Sequence, residues 1–474
     1  MYIKKDNDQL EFINFYLPFS GRLYKENRWV KLSEMVPWNE IEERYMGLFS
    51  PDQGAPAKPL RMALGALIIK ERCGYTDEET VEQIRENPYQ QFFIGMSEFS
   101  NEAPFEASMM VHFRKRLTAE IMREINEMIT GVDRKKDTTD DDDPGEGKDK
   151  PGNEGKLIVD ATCAPSDIRY PNDMSLLNEA REKTEKIIDK LSKERGEKKP
   201  RTYRKVARKE FIRFIHMKKP DRKKVRKAIG KQLRYIARNL KNIEKMKDSL
   251  NILSRKEYSN LQVIKELYRQ QKEMFGSETN RIGSRIVSIS QPYVRPIVRG
   301  KAGVPVEFGA KIELALVDGY AFIDHLSWDN FNESMTLVDQ IENYRKRYGH
   351  YPESVHADKI FRTRSNRSYC KERGIRISGP ALGRPTAMSK KEKRQMIEDG
   401  RVRNAIEGKF GQGKRRFGLA RIMAKLQETS ESVIWMNIII MNLERRLAFL
   451  LSFFIHRLFS ISRQRISFPV CKIV

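Results

Sequence analysis

Residues 305–326 read PVEFGAKIELALVDGYAFIDHL, and this stretch decides the class of fold. Two apolar runs, rich in β-branched and aromatic residues, flank Asp318-Gly319, a dipeptide typical of the two-residue turn in a β-hairpin. Alternating patterns follow, which predict a helix at 336–348, a strand at 353–358, a helix at 365–373, a strand at 374–378 and a long helix from 389. Strands and helices in this order predict a mixed α/β fold built in layers.

Another strand lies far upstream of the hairpin. The stretch KLIVDATC at 156–163 is an apolar run of strand length with Asp160 in its middle. Residues 167–284 then carry long Lys- and Arg-rich helical patterns that are broken at glycine and proline. We expect a basic helical insertion after the first core strand. A solvated surface and a surface that follows DNA fit this charge about equally well.

The first 135 residues predict helices. An apolar stripe at 58–74 ends at a glycine, and Thr76-x-x-Glu79 forms a capping box that opens a second short helix. A later helix, from about residue 105, carries three consecutive cations: Arg114, Lys115 and Arg116. Two short helices followed by a basic one suit a helix-turn-helix domain in which these cations contact DNA, and a generic helical bundle fits the pattern equally well.

The 474 residues carry a strong surplus of positive charge. There are 90 Lys+Arg against 65 Asp+Glu, which gives a formal net charge of +25 and a pI near 9.7. Such a surplus attracts polyanions, because neutralising phosphates releases condensed counterions. An anionic membrane surface would satisfy the charge as well, so charge alone does not choose between the two partners.

The most apolar stretch, 433–455, is long enough to span a bilayer. Asn437, Asn442 and the triplet Glu444-Arg445-Arg446 lie inside it, and each central charge costs roughly 2.5–3.5 kcal/mol on insertion. We therefore expect a buried core helix and no membrane partner. The N-terminal residues lack the apolar run of a signal peptide, and the four cysteines are scattered, so we expect a protein of the reducing cytoplasm.

Three carboxylates have positions that suit phosphodiester chemistry. Cleaving and joining a phosphodiester needs an activated oxygen nucleophile and neutralised charge at both reacting oxygens, and two Mg²⁺ ions held by carboxylates supply this. Asp160 interrupts an apolar strand, where an unpaired carboxylate is costly. Asp358 ends the predicted strand ESVHAD, and Glu407 lies in the helical stretch RNAIEGKFGQGKRRF at 403–417.

Two cations accompany Glu407. Arg403 lies four residues before it and Lys414 seven after it, so a helix presents all three on nearly one face. A carboxylate between two cations suits metal binding beside a clamped phosphate, although most arginine–glutamate pairs on helices are surface ion pairs. We interpret the remaining core acids and the strand histidine as turn, strand-end or ordinary polar residues: Asp318, Asp324, Asp329, Glu333 and His356.

With these residues in place, the chain resembles bacterial insertion-sequence transposases of the DDE class, in particular the InsH-like group. The resemblance spans nearly the whole chain. Its most specific stretches are LIVDATCAPSDIRYPNDMSLLNEAR (157–181), RGKAGVPVEFGAKIELALVDGYAFID (299–324), PESVHADKIFRTRSNR (352–367), IRISGPALGRP (375–385) and RNAIEGKFGQGKRRFGLARI (403–422). The resemblance implies an RNase H-like mixed sheet flanked by helices and preceded by a helical N-terminal domain.

The resemblance also implies the metal ligands. In this family an aspartate on the first core strand, another after the fourth strand and a glutamate on a later helix bind two Mg²⁺ ions, for which Mn²⁺ substitutes. The matching positions here are Asp160, Asp358 and Glu407. The family's glutamate motif is Tyr-x2-Arg-x3-Glu-x6-Lys; Arg403 and Lys414 fit its spacing, whereas Gly400 takes the place of the tyrosine.

The activity implied by the resemblance is DNA transposition. Cleavage at the terminal inverted repeats of a mobile element frees a 3′-hydroxyl that attacks target DNA. The partners are double-stranded DNA and further copies of the chain, as a dimer on paired ends, at the bacterial nucleoid. The expected DNA contacts are Arg403 and Lys414 beside the cut, and Arg299, Lys301 and Lys311 along the backbone.

Two other functions stay open. One is a catalytically inactive, sequence-specific DNA-binding protein derived from a transposase, which Gly400 slightly supports. The other is a structure-selective nuclease, because one scaffold hosts several activities.

The expected organisation has five parts. They are a helical DNA-binding domain (1–135), an acidic disordered linker (136–155), an RNase H-like catalytic domain (156–166 and 285–455), the basic helical insertion (167–284) and a C-terminal tail (456–474).

Overall fold

A computed structural model describes residues 15–49, 56–131, 152–298, 306–380 and 389–464, with backbone only for 451–464. The chain divides into two compact units. The larger unit comprises Met1–Ala164, Ile312–Leu326 and Asn332–Val474, and the smaller comprises Pro165–Lys311 and Ser327–Phe331. Most of the acidic linker predicted at 136–155 falls outside the described residues.

The strands of the described chain form one mixed sheet. They are β1 (Lys156–Pro165), β2 (Arg295–Val298), β3 (Val306–Val317), β4 (Tyr320–Ser327), β5 (Ser354–His356) and β6 (Arg376–Ile377). In the larger unit β1 lies between β3 and β5, β6 lies outside β5, and β4 pairs with β3. β5 runs parallel to both β1 and β6, with Val355 opposite Leu157 and Ile377.

The β3–β4 connection is the predicted hairpin. Asp318 and Gly319 form its turn with φ angles of 50° and 79°. Positive φ at both central positions is the requirement that favours Asp-Gly in such turns. The short connection confirms the hairpin predicted for residues 305–326.

The α-helices follow in chain order. They are α1 (Arg28–Met35), α2 (Trp38–Met46), α3 (Leu60–Cys73), α4 (Asp77–Glu86), α5 (Pro88–Phe93), α6 (Met109–Arg116), α7 (Ala119–Thr130), α8 (Asp173–Glu194), α9 (Arg204–Ile215), α10 (Arg222–Lys245), α11 (Arg255–Gly276), α12 (Leu337–Tyr348), α13 (Arg364–Glu372), α14 (Lys390–Arg416) and α15 (Gln427–Gln464). Local signals set several of these bounds. The predicted capping box at Thr76 and Glu79 opens α4, and Ser389 with Glu392 opens α14 in the same way.

The core of the larger unit forms where the sheet meets α12. Val159 of β1 and Val355 of β5 are fully buried and pack with Leu337 and Ile341, which lie one helical turn apart on α12. The predicted fold class is confirmed: the sheet is mixed and flanked by helices, consistent with an RNase H-like core, and it has an N-terminal helical region and a helical insertion after β1.

The apolar C-terminal stretch is a core helix, as its charges predicted. α15 packs against α7, α3, α6 and α1. Its Asn442 side chain donates to Ala321 O (2.8 Å) and to Asn126 Oδ1 (2.8 Å), and it accepts from Ala321 N (2.9 Å). The Glu444 carboxylate accepts from Arg72 Nε at 2.6 Å. In the described part of the chain, no helix is both long and apolar enough to cross a membrane.

The helices of the smaller unit form a bundle. α8 packs along α10, and α11 packs on both. Leu177, Ile236 and Ile264 form part of its buried core, one from each helix. A buried hydrogen bond from Asn239 Nδ2 to Thr184 Oγ1, 3.0 Å, joins α10 to α8. This bundle is the predicted helical insertion.

Candidate functional site

Asp160 lies in the middle of β1, between the fully buried Val159 and the half-buried Ala161. The backbone N–H of Ala161 donates to Asp160 Oδ1 at 2.8 Å. Burial raises the pKa of the Asp160 carboxyl to about 6, and the negative charges of Glu333 and Asp358 act in the same direction. These charge interactions show that other acids surround Asp160.

The sheet register sets Asp358 beside Asp160. Ile158 of β1 pairs with His356 of the parallel strand β5. Asp160 and Asp358 each lie two residues beyond this pair, so they are at matching positions, Asp160 within β1 and Asp358 just after β5. β5 is shorter than the predicted strand 353–358, and Asp358 is the cap residue before the 3₁₀ turn Lys359–Phe361. This turn leaves the Asp358 side chain 53% exposed.

Helix α14 brings Glu407 to the neighbourhood of Asp358. Its buried face contains Asp399, Ile406 and Phe410, which hold the helix against the rest of the unit. Glu407 is beside this face and 56% exposed. The Arg403 guanidinium lies 3.3 Å from Asp358 Oδ1 through Nη1 and 3.2 Å from Glu407 Oε1 through Nη2. Arg403 therefore links an acid of the sheet to an acid of the helix, and it also lowers the pKa of Asp160.

The donor set is suited to a hard divalent cation. Asp160, Asp358 and Glu407 offer carboxylate oxygens, the ligands preferred by Mg²⁺. As the side chains stand, no three His, Cys, Asp or Glu residues in the described ranges are close enough to hold a metal ion together. Arg403 occupies the space between two of the acids, where its guanidinium stands in for a cation. The chemistry of the three donors therefore fits a divalent metal, whereas their present positions do not gather them around one point.

A fourth acid, Glu333, belongs to this neighbourhood. It begins a 3₁₀ turn, Glu333–Met335, that packs against the turn starting at Asp358. The Asn366 side chain joins the two turns by donating to Ser334 O (2.8 Å) and Phe361 O (2.7 Å). Sequence reasoning set Glu333 aside as part of a polar segment. The available signal was its place directly before the helix that follows the hairpin.

A buried polar network ties α14 to the sheet beside Asp358. Arg376 of β6 donates to both carboxylate oxygens of Asp399, at 2.8 and 3.0 Å. Burial alone would raise the pKa of Asp399, but hydrogen bonds from Arg376 and Gln395 hold it below the usual value. His356 lies 3.7 Å from the same carboxylate and is 1% exposed, and burial lowers its pKa. From the sequence, His356 is interpreted as an ordinary strand residue, and Asp399 is not predicted to take part in the site.

The structure places the other candidate DNA contacts in varied surroundings. Arg114 is buried and donates to both oxygens of Asp77, at 2.9 and 2.6 Å. Its neighbour Lys115 is exposed, and Arg116 lies over the Phe49 ring. Lys311 is 7% exposed and donates to Phe331 O at 2.8 Å.

Lys414, Arg299 and Lys301 complete the set of predicted contacts, and Gly400 is the position where the family motif has tyrosine. Lys414 is half-buried on α14. Gly400 has open space where a Cβ would stand. Arg299 and Lys301 lie outside the described residues.

Comparison with known proteins identifies two transposase families along the chain. Residues 355–444, which contain Asp358 and Glu407, match the family described as "Transposase DDE domain". Residues 18–116, in the N-terminal helical region, match the family described as "Transposase domain (DUF772)".

One relative and the absence of a structural match complete the comparison. A Rhizobium meliloti protein named "Uncharacterized protein ORF8 in nfe locus" is 30% identical over 184 residues, which cover 39% of this chain and 82% of that protein. No solved structure matches the chain. The family matches, to one transposase family at residues 18–116 and to a transposase DDE family at residues 355–444, indicate that the chain is a DDE transposase of an insertion sequence.

Proposed function

We propose that this transposase cuts DNA at the terminal inverted repeats of a mobile element and joins the freed 3′-hydroxyl to target DNA. One observation carries the proposal: Asp160 of β1 and Asp358, just after the parallel strand β5, are at matching positions on neighbouring segments, and Arg403 connects Asp358 to Glu407. Two acids from distant parts of the chain thus share one cation, whose charge also acts on Asp160, and both of these acids are open to solvent. A negatively charged DNA backbone needs cations at such a site.

The three carboxylates would hold two Mg²⁺ ions, for which Mn²⁺ substitutes. When bound, the ions supply a nucleophilic oxygen at neutral pH and neutralise charge on the attacking and leaving oxygens. Bound metal would neutralise the carboxylates and weaken their ion pairs with Arg403. The Arg403 guanidinium could then bind a DNA phosphate with two hydrogen bonds. Lys414, seven residues after Glu407 on the same helix, supplies a second positive charge near the cut.

The smaller unit adds a surface for the DNA backbone. Residues 167–284 contain 34 Lys+Arg and 16 Asp+Glu, so this quarter of the chain carries most of the net charge of +25. Lys205, Arg208 and Lys209 of α9 are exposed, and their spacing of three and four residues puts them on one face. Within the described residues these three form no ion pair, whereas Arg204 on the same helix pairs with Asp189 at 2.7 Å. Unpaired cations on one face suit a row of phosphates.

The test of catalysis uses the full-length protein and a duplex that carries the inverted repeats flanking its gene, in Mg²⁺ and in Mn²⁺. Asp160→Asn, Asp358→Asn and Glu407→Gln remove charge and preserve shape. Each should lower cleavage and strand transfer by at least about 100-fold, since even indirect supports of a metal site cost 10- to 100-fold. Asp339→Asn, an exposed acid on α12, is the matched control and should leave both reactions unchanged.

The same assay separates the other two functions. Specific, salt-sensitive binding with no cleavage in either metal would identify an inactive DNA-binding protein. Cleavage without joined products would identify a nuclease. Full activity in all three variants would overturn the assignment of the site.

Assembly and location follow from the reaction. Two element ends must be cut and inserted together, so we propose that the protein acts as a dimer on paired ends. Because its substrate is genomic DNA, we place it in the bacterial cytoplasm at the nucleoid.

A further inference from the structure

The network around Asp399 spans the elements that carry two of the three acids. Arg376 of β6 contacts the Asp399 carboxylate with two hydrogen bonds, and Gln395 Nε2 adds a third at 3.0 Å. Within the described residues, Asp399 is the buried acid of α14, with its side chain 8% exposed. Gln395 lies one turn before Asp399 on α14 and orients the carboxylate, whereas the two bonds from Arg376 tie the helix to β6, so a shift of the helix lengthens both of them at once.

The strand side of the network is equally restricted. His356 Nε2 lies 3.1 Å from Ser354 Oγ, so a hydrogen bond within β5 holds the His356 ring in place. His356 Nδ1 faces Asp399 Oδ1 at 3.7 Å. His356 is only two residues before Asp358, so the contact lies beside the point where β5 ends and the 3₁₀ turn begins.

Asp399 is also in line with the residues that contact the site. Asp399, Arg403 and Glu407 follow one another at intervals of four residues, so they occupy neighbouring positions along one side of α14. A slip of the helix by one residue would move Glu407 by 1.5 Å and rotate it by about 100°. The register of α14 at Asp399 therefore decides where the Glu407 carboxylate points.

We propose that Asp399 is a positioning residue: with Arg376 and His356 it sets the register of α14 so that Glu407 faces Asp160 and Asp358. This role rests on the proposed function of the three acids. It also bears on Gly400, which stands where the family motif has tyrosine and has no atom within 4 Å of a built Cβ. In this chain the neighbouring residue, Asp399, anchors α14, so a tyrosine ring at position 400 is not needed for that purpose.

The experiment measures Mn²⁺ binding to the full-length protein without DNA, by titration calorimetry, beside the temperature of unfolding. Asp399→Asn keeps the shape and removes the charge. It should weaken Mn²⁺ binding about 10- to 100-fold, the range observed when a residue that orients a metal ligand is lost. Asp399→Glu, which restores the charge, should recover part of the affinity.

A matched control separates positioning from stability. Glu444→Gln breaks the Arg72–Glu444 ion pair of the same unit, which is also largely buried and joins α15 to α3. This variant should lower the unfolding temperature and leave Mn²⁺ affinity within about twofold of wild type. If Asp399→Asn behaved in the same way, with lower stability and normal Mn²⁺ affinity, the positioning role would be wrong.

A milder variant covers the case in which Asp399→Asn does not fold. Arg376, the partner of Asp399, is 42% exposed, so Arg376→Gln should disturb folding less than Asp399→Asn. It removes the same ion pair and should reproduce the loss of Mn²⁺ affinity. Normal affinity in this variant would count against the proposal. Failure of the proposed function gives a different result, because wild type and Asp358→Asn would then bind Mn²⁺ equally.

Discussion

The Asp160 carboxyl keeps its proton to a higher pH than an ordinary aspartate. Burial raises its pKa from 3.8 to about 6, and the nearby acids Glu333 and Asp358 contribute in the same direction. In the folded state the proton is therefore bound more tightly than in the unfolded chain. Without metal, the contribution of Asp160 to the free energy of unfolding should therefore fall as the pH rises from about 4 to about 6, where the folded carboxyl ionises.

This pKa predicts a pH-dependent effect of Asp160→Asn. Asparagine cannot ionise, so the substitution removes a penalty of up to about 3 kcal/mol that is complete only above pH 6. In EDTA, urea unfolding should show the variant to be more stable than wild type at pH 7.5, with a much smaller difference at pH 4.5. An equal difference at both pH values would contradict the raised pKa.

Glu333 should influence Asp160 through its charge. Glu333→Gln removes one of the negative charges that raise the pKa of Asp160, so that pKa should move down. Carboxyl titration by NMR in EDTA measures the change, with Asp339→Asn as an exposed control. An unchanged titration of Asp160 in Glu333→Gln would show that the two side chains do not interact.

At the scale of elements, Asn442 joins three parts of the larger unit. Its amide satisfies both backbone groups of Ala321 in β4 and contacts Asn126 of α7. Asn442→Ala removes the hydrogen-bond partner of Ala321 N and of Asn126 Oδ1, at about 1–3 kcal/mol for each unsatisfied group, whereas Ala321 O still accepts from Asn126 Nδ2 at 3.1 Å. Chemical denaturation should show a loss of at least about 2 kcal/mol. Gln427→Ala, an exposed residue near the start of α15, should change stability by less than about 0.5 kcal/mol.

Elements with local signals could be predicted from the sequence. The Asp318-Gly319 hairpin and the Thr76–Glu79 capping box each depend on residues a few positions apart, and both form as expected. Strand 353–358 was predicted too long, because alternation of side chains does not reveal that Asp358 starts a turn. The candidate acids were found largely through resemblance to a family, since the contact of Asp358 with Arg403 joins residues 45 positions apart.

The parts of the site that the sequence did not reveal depend on long-range contacts. Asp399 is an unremarkable acid in a charged helix until Arg376 and His356 are brought beside it. Glu333 acquires its place only when two 3₁₀ turns pack together. Asp399 has no spacing or neighbour that would distinguish it in a single sequence, and Glu333 has only its place before the helix that follows the hairpin.

At the scale of the whole molecule, charge should govern the affinity for DNA. Each phosphate contact contributes about 0.9 to the slope of log K against log salt concentration. Replacing Lys205, Arg208 and Lys209 with glutamine should reduce this slope by up to about 2.7 and weaken binding to all sequences alike. The slope can be measured by fluorescence anisotropy at salt concentrations from about 50 to about 300 mM.

The control for this prediction keeps the change in net charge. Lys186, Lys256 and Lys272 are exposed on α8 and α11 of the same unit, and their replacement with glutamine removes the same three charges. This variant should keep nearly the wild-type slope. Equal losses in both variants would mean that total charge, rather than the α9 face, determines binding.

The packing of α15 against α1, α3, α6 and α7 has a consequence for truncated copies of the gene. A stop codon ahead of residue 427 would release a polypeptide that lacks α15, and the surfaces of α1, α3, α6 and α7 that α15 covers would then be exposed to water. Proteases remove such products. The truncated proteins would then be degraded and would not compete with the intact enzyme.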